Sequence, residues 1–351
     1  MQRWMFASTA VLLMMPSVVL SQTALDKIIA SAKQESDLNL IGSASTFGGE
    51  GPRHKIEAAF NKKFGLNLKL HFVAGPSMPA MAARIQQEYK AGAKATTDVY
   101  IGTMALFTYL MKEGALTEIK WAETFPWITP EVETAKGAGV LVRTSISGII
   151  YNPNLLNAAE APRRYEDLVD PVKSRAWAGR MATPPYSDWL AELTMIWPKD
   201  KVIGFARNLA QYAAGFIRYD QEERIVSGEF SLMANDADGP YAKALWASKG
   251  GQLEFVVGSD PALVYYNMLG VPKNSSSPNL AALFAAYVSS EEAQAFTSEG
   301  FHGHHLVANT NVTKYLTANK TRLMSPQQQF DFYMKGADPG LIQELDAILR
   351  R

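Results

Sequence analysis

At 351 residues the chain is too long for one comfortable core and about right for two domains. Its 34 basic and 34 acidic residues cancel, so bulk charge calls for neither nucleic acid nor an anionic membrane. There is no cysteine, which excludes disulfides, thiol catalysis and zinc-thiolate sites.

The apolar run AVLLMMPSVVL follows a single basic residue, Arg3, and gives way to Ser21 and Gln22. Broken by Pro16 and too short for an ordinary span, it reads as a cleavable secretory signal over residues 1–21, which predicts a periplasmic or extracellular protein.

From Leu38 the pattern alternates between strand and helix. Leu38 to Ile41 form a short strand running into the small-residue loop that holds Ser43, Ser45 and Thr46; Pro52 then opens a helix with Ile56, Ala59, Phe60 and Phe64 on one face, stopped by Gly65. Leu66, Leu68, Leu70 and Phe72 alternate with polar residues as a half-buried strand does. A helix from about Met78 to Tyr89, a strand from Asp98 to Ile101 and a helix from Thr103 to Lys112 follow. This order predicts a parallel, doubly wound sheet, whose ligand sites lie at the carboxyl ends of the strands. The rule selects the Ser43–Thr46 loop and Thr103, because the first turn of a helix leaves N–H groups free for an anion or a polar small molecule. The alternative for each hydroxyl is simple helix capping.

Two stretches then organise the chain. RTSISGIIYNPNLL (Arg143 to Leu156) and LVYYNMLGVPKN (Leu263 to Asn274) are apolar, β-branched or aromatic runs closed by turn residues, each with an internal glycine, Gly148 or Gly270, where a strand can bend. Read as crossings between the same two lobes, they make residues 22–148 and 266–351 one lobe and residues 149–265 an inserted second lobe, facing each other across a cleft. In the second lobe, the loop Thr183 to Trp189 brings Tyr186 and Ser187 to a helix start, and NDADGPY brings Asp236, Asp238 and Tyr241 to another. Phe301-His302-Gly303-His304-His305 holds three of the five histidines; it reads as a polar surface turn, with a metal-dependent hydrolase in the cleft as the rival. No Walker loop, nucleophile elbow or dinucleotide fingerprint occurs. The end of the chain reads as helices, broken at Ala337-Asp338-Pro339-Gly340, packing on the first lobe.

In order and spacing, IGSASTFGG, SGIIYNPNLL, YEDLVDP, PPYSDW, SGEFSLMAND and VYYNMLGVPKNSSSPNLAALFAAYVSSEEAQAF resemble the extracellular solute-binding proteins of ABC importers, and more narrowly the family 1 branch that includes ferric-iron-binding proteins. The resemblance covers nearly all of Leu38 to Asn309. It implies the α/β type II periplasmic-binding-protein fold: two doubly wound lobes joined by two hinge strands, with a ligand cleft between. It also implies no enzymatic activity, no cofactor, a monomer, a small-molecule ligand and a membrane permease as partner. Ferric-binding members usually carry two adjacent tyrosines where this chain reads NDADGPY with Tyr241 alone, and the pair Tyr265-Tyr266 lies in the hinge instead. That departure favours an organic anion or a zwitterion over ferric iron. The residues expected to touch it are Ser43, Ser45, Thr46, Thr103, Tyr186, Ser187, Asp236, Asp238, Tyr241 and Tyr265.

Overall fold

The structure is a computed structural model that describes residues 16–350, residue 337 excepted. The expected signal segment therefore lies outside the described residues as far as residue 15; from Pro16 the chain is helical to Ala32.

The strands are β1 (Asp37–Gly42), β2 (Lys69–Ala74), β3 (Tyr100–Thr103), β4 (Glu133–Thr134), β5 (Gly139–Ile146), β6 (Gly148–Tyr151), β7 (Met181–Thr183), β8 (Ala213–Phe216), β9 (Leu232–Asp236), β10 (Glu254–Val257) and β11 (Val264–Gly270). In the first lobe β1 and β2 pair in parallel, and a parallel bridge from Leu40 to Val99 joins them to the sheet β3-β11-β5-β4. The second lobe is the sheet β10-β6-β9-β7-β8. Neither sheet is the wholly parallel one expected: every pairing within β3-β11-β5-β4 is antiparallel, and in the second lobe β6 pairs antiparallel with β10 and β9 while β7 pairs parallel with β8 and β9.

The first crossing is Ser147, between β5 and β6; the second is residues 258–263, between β10 and β11. They lie side by side: the Ser147 N–H donates to the Leu263 carbonyl at 3.0 Å. Gly148 stands at the first crossing, where a Cβ would come within 2.4 Å of the Val256 carbonyl oxygen. Gly270 does not stand at the second. It closes the far end of β11 opposite Tyr100, where a Cβ would meet the Ala138 carbonyl at 2.4 Å, so close packing rather than bending calls for a glycine there.

The core of the first lobe is the helix Pro278–Val288, buried at every position from Leu280 onward. Phe60 from the helix Glu50–Phe64 lies 5.5 Å from both Phe284 and Tyr287, ring centre to ring centre, and the Trp127 indole donates to the Ala286 carbonyl at 2.8 Å. The second lobe centres on Trp189, Tyr165 and Phe205, with Trp189 fully buried 5.5 Å from the Tyr165 ring. No helix among the described residues is long and apolar enough to cross a membrane.

The C-terminal helices depart from the expectation. Helix Pro326–Lys335 packs on the first lobe's helix Met104–Lys112, with Lys112 donating to the Tyr333 carbonyl at 2.9 Å. Helix Pro339–Leu349 instead lies on Lys199–Tyr212 and Asp188–Glu192 of the second lobe, flanked by the ion pairs Lys199–Asp338 at 2.6 Å and Arg207–Glu344 at 2.9 Å. Its apolar face, Leu341, Leu345 and Ile348, specifies that something must cover it but not what. The end of the chain thus straps one lobe to the other.

Candidate functional site

β5 and β11 form the floor between the lobes. Arg143 is in register with Asn267 and Ser145 with Tyr265, and the two-residue period of a strand sets all four side chains on one face. Thr144 takes the opposite face and reaches His305 Nδ1 at 2.9 Å.

From the second lobe the loop after β9 comes down on this floor. Arg143 Nη2 donates to Asp238 Oδ2 at 2.8 Å, and the guanidinium lies 5.2 Å from the Tyr241 ring centre. The Tyr241 ring stands edge-on to His302, 4.9 Å away at 70°. Ser43, Thr46, Arg143, Asn267 and His302 line a cavity of about 20 Å³. That is room for about one water and for no organic solute; beside it the second lobe's Asp238 and Tyr241 rest directly on Arg143 and His302. Larger hollows lie elsewhere, among them one of about 500 Å³ against Arg163, Asp167, Lys173 and Arg175 on the second lobe.

Three polar atoms around the closed contact are buried without a partner: Arg143 Nε, Asp236 Oδ2 and His302 Nδ1. An unpaired buried polar atom costs on the order of 1–3 kcal/mol, which a ligand supplying the missing bond would recover. Burial raises the Asp236 carboxyl well above the usual carboxylate range, Glu222 adding to the rise, while its Oδ1 accepts from the Asp238 N–H at 2.8 Å. Asp238 is also raised by burial, with Arg143 pulling it back. Burial, and then the Arg143 charge, push His302 down to about 2, so its imidazole is neutral.

A second group adjoins the first through Ser145 and Tyr265. The Tyr265 and Tyr219 hydroxyls are hydrogen-bonded to each other, and Asn235 Nδ2 donates to Tyr219 at 3.4 Å. Tyr333, from the C-terminal strap, donates to Glu192 Oε1 of the second lobe. Burial pushes Glu192 up to about 8 and raises the Tyr219, Tyr265 and Tyr333 phenols.

Of the residues singled out in the sequence, Ser43, Thr46, Asp236, Asp238, Tyr241 and Tyr265 gather at or beside the floor. The Ser45 hydroxyl bonds to Ser43 Oγ, at 3.0 Å, and Ser45 does not line the cavity. Tyr186 is largely exposed and packs on Tyr219, ring centres 5.4 Å apart. Thr103 and Ser187 each precede a helix yet make no side-chain cap bond, so capping does not account for them. The histidine segment is no surface turn: His302 and His304 are buried, His304 Nε2 bonding the Ser289 carbonyl at 3.1 Å and its Nδ1 accepting from Leu306 N–H at 3.3 Å. Among the described residues, no group of three or more histidine and carboxylate side chains is placed to hold a metal.

Arg143, Glu192, Tyr219 and Tyr333 do not figure among the site residues read from the sequence, and His302 figures there only in the rival reading, as part of a metal-binding segment. Two had a signal: Arg143 is the lone charge in the apolar run GVLVRTSISGII, and Tyr219 follows a strand at its carboxyl end. Tyr333 had none, since its place depends on where a distant helix docks.

Two α/β lobes, paired crossings and a polar cleft define a two-lobed binding protein of the type II periplasmic fold. Residues 55–318 match the bacterial extracellular solute-binding protein family, and the chain belongs to it. This is a family of solute-binding proteins of ABC transporters, not of enzymes. Solved structures of similar fold include iron-bound HitA from Pseudomonas aeruginosa, at 18% identity and TM-score 0.66, covering 88% of this chain and 99% of that one. Trichodesmium IdiA (FutA) in complex with iron and citrate matches at 19% identity and TM-score 0.68, covering 89% and 99%. The substrate-binding protein of an ABC transporter from Agrobacterium tumefaciens matches at 19% and 0.70, covering 91% and 97%. No curated protein matches significantly in sequence.

Proposed function

We propose that the chain, once relieved of residues 1–21, works as a monomer in the periplasm or outside the cell, where it captures a small organic anion or zwitterion and presents it to a membrane permease. The lobes join at the two crossings, Ser147 and residues 258–263, within a few residues of the bounds 148/149 and 265/266 read in the sequence. One observation carries the reading: the second lobe's Asp238 and Tyr241 meet the first lobe's Arg143 and His302 across the cleft. A solute bound there touches both lobes at once, which is the condition for its binding to favour closure. Ser43, Thr46, Thr103 and Ser187 supply hydroxyls around it, and Asp236 or Asp238 takes an amine. Native mass spectrometry of protein purified without refolding tests this. A bound small molecule whose re-addition stabilises the stripped protein supports it; absence of any adduct, with no stabilisation by organic anions, amino acids or ferric citrate, overturns it.

Ferric iron is a second reading favoured by a specific observation. Tyr219, Tyr265 and Tyr333 with Glu192 form a cluster of phenols and a carboxylate, the hard oxygen donors that suit such an ion. Iron bound there would give a visible phenolate charge-transfer band on titration with ferric citrate, lost in Tyr265→Phe; a titration without that band removes this reading.

A further inference from the structure

We propose that Arg143 is the anchor for the ligand's acidic group and that Asp238 is its built-in stand-in, displaced when a carboxylate or phosphate-like oxyanion arrives. The proposal rests on the cleft being the binding site and names the chemistry it selects. A guanidinium presents Nε and Nη2 along one edge, spaced to grip both oxygens of an oxyanion. Asp238 uses that edge through Nη2 alone, at 2.8 Å, and leaves Nε buried without a partner. A free ligand, not tied to a helix start as Asp238 is, can square itself to the edge and satisfy both donors.

The surroundings add further partners for such a ligand. The Tyr241 ring lies 5.2 Å from the guanidinium and holds it from one side. His302, only 4% exposed, lines the same cavity with Nδ1 unpaired, and Ser43, Thr46 and Asn267 line it too. When the ligand takes Arg143, Asp238 loses its cation. A ligand carrying an ammonium beside its acid returns one, so the pair selects a zwitterion over a plain anion.

Chemical rescue tests this without knowing the natural ligand. Asp238→Ala empties the space beside Arg143. Acetate, and separately inorganic phosphate, should then raise its melting temperature saturably, with affinity at least about tenfold above wild type, where Asp238 competes. Acetamide, of the same shape but neutral, should do nothing, and Arg143→Gln in the same background should abolish the response. Asp238→Asn, which keeps the side-chain shape, covers the case in which the alanine variant does not fold. Saturation by acetate marks a carboxylate site, and saturation by phosphate alone marks a phosphate or phosphonate site. No saturable response to either, or an equal response without Arg143, overturns the proposal. Binding of the co-purified solute to Arg143→Gln at wild-type affinity would do the same while leaving the transport reading intact.

Discussion

Replacing Glu192 by Gln should change the stability of the protein by an amount set by pH, and the surroundings of Glu192 fix the sign. The carboxyl is 2% exposed and accepts a hydrogen bond from Tyr333 across the lobes. Its ordinary value is 4.5, and burial pushes it up to about 8, so the folded protein holds the proton while the unfolded chain releases it. A raised carboxyl leaves stability intact below its unfolded value and drains it as pH climbs through its folded value. At about 1.36 kcal/mol per pH unit, the loss is under about 1 kcal/mol at pH 5, about 3 kcal/mol at pH 7, and levels off near 5 kcal/mol above pH 8. Gln keeps the acceptor for Tyr333 and cannot titrate. Urea unfolding of both proteins at pH 5, 6, 7 and 8 should therefore show a difference that grows in favour of Gln as pH rises. Taking the difference cancels acids that titrate alike in both. An offset that does not vary with pH would refute the reasoning.

Other predictions concern packing and the acid limb. Phe284, fully buried 5.5 Å from Phe60, should cost about 3–5 kcal/mol when replaced by Ala, read as a lower urea midpoint; a loss below about 1 kcal/mol would contradict its central place. Gly148→Ala would set a methyl 2.4 Å from the Val256 carbonyl, a backbone atom that cannot swing aside, and should destabilise by about 1–3 kcal/mol. An unchanged midpoint would deny that close approach. Burial lowers His304 from 6.5 to about 4, so the stability that comes from keeping it neutral is present above pH 6.5 and is lost as pH falls through about 4. His304→Gln should flatten this acid limb in urea titrations, and an unaltered limb would assign it to other groups. Ser187→Ala and Asp236→Ala should each weaken solute binding by calorimetry; two unchanged affinities would remove both from the site.

Much of this was legible in the sequence because alternation and turn chemistry are local signals. Leu38 to Thr46 reads as a strand feeding a polar loop, and the loop does line the cavity. What stayed hidden depends on register and docking. Arg143 and Asn267 face the cleft together only because β5 and β11 align them, and nothing in either strand alone says so. Tyr333 reaches Glu192 because one helix sits on the first lobe and the next on the second, a choice that an apolar stripe does not encode. The histidines looked solvent-facing amid glycines, yet Gln294, which accepts from the His304 N–H at 2.8 Å, and Ser289 supply polar partners that permit burial.

The absence of cysteine allows two to be introduced for spin labelling, one at Val73 in the first lobe, 56% exposed, and one at Val172 in the second, 68% exposed. The distance distribution between them, measured by pulsed electron resonance on stripped protein and again with the co-purified solute, tests capture by closure most directly. The account predicts a broad or two-peaked distribution that collapses to its shortest component when solute is added. An identical distribution in both samples, at saturating solute, would contradict it.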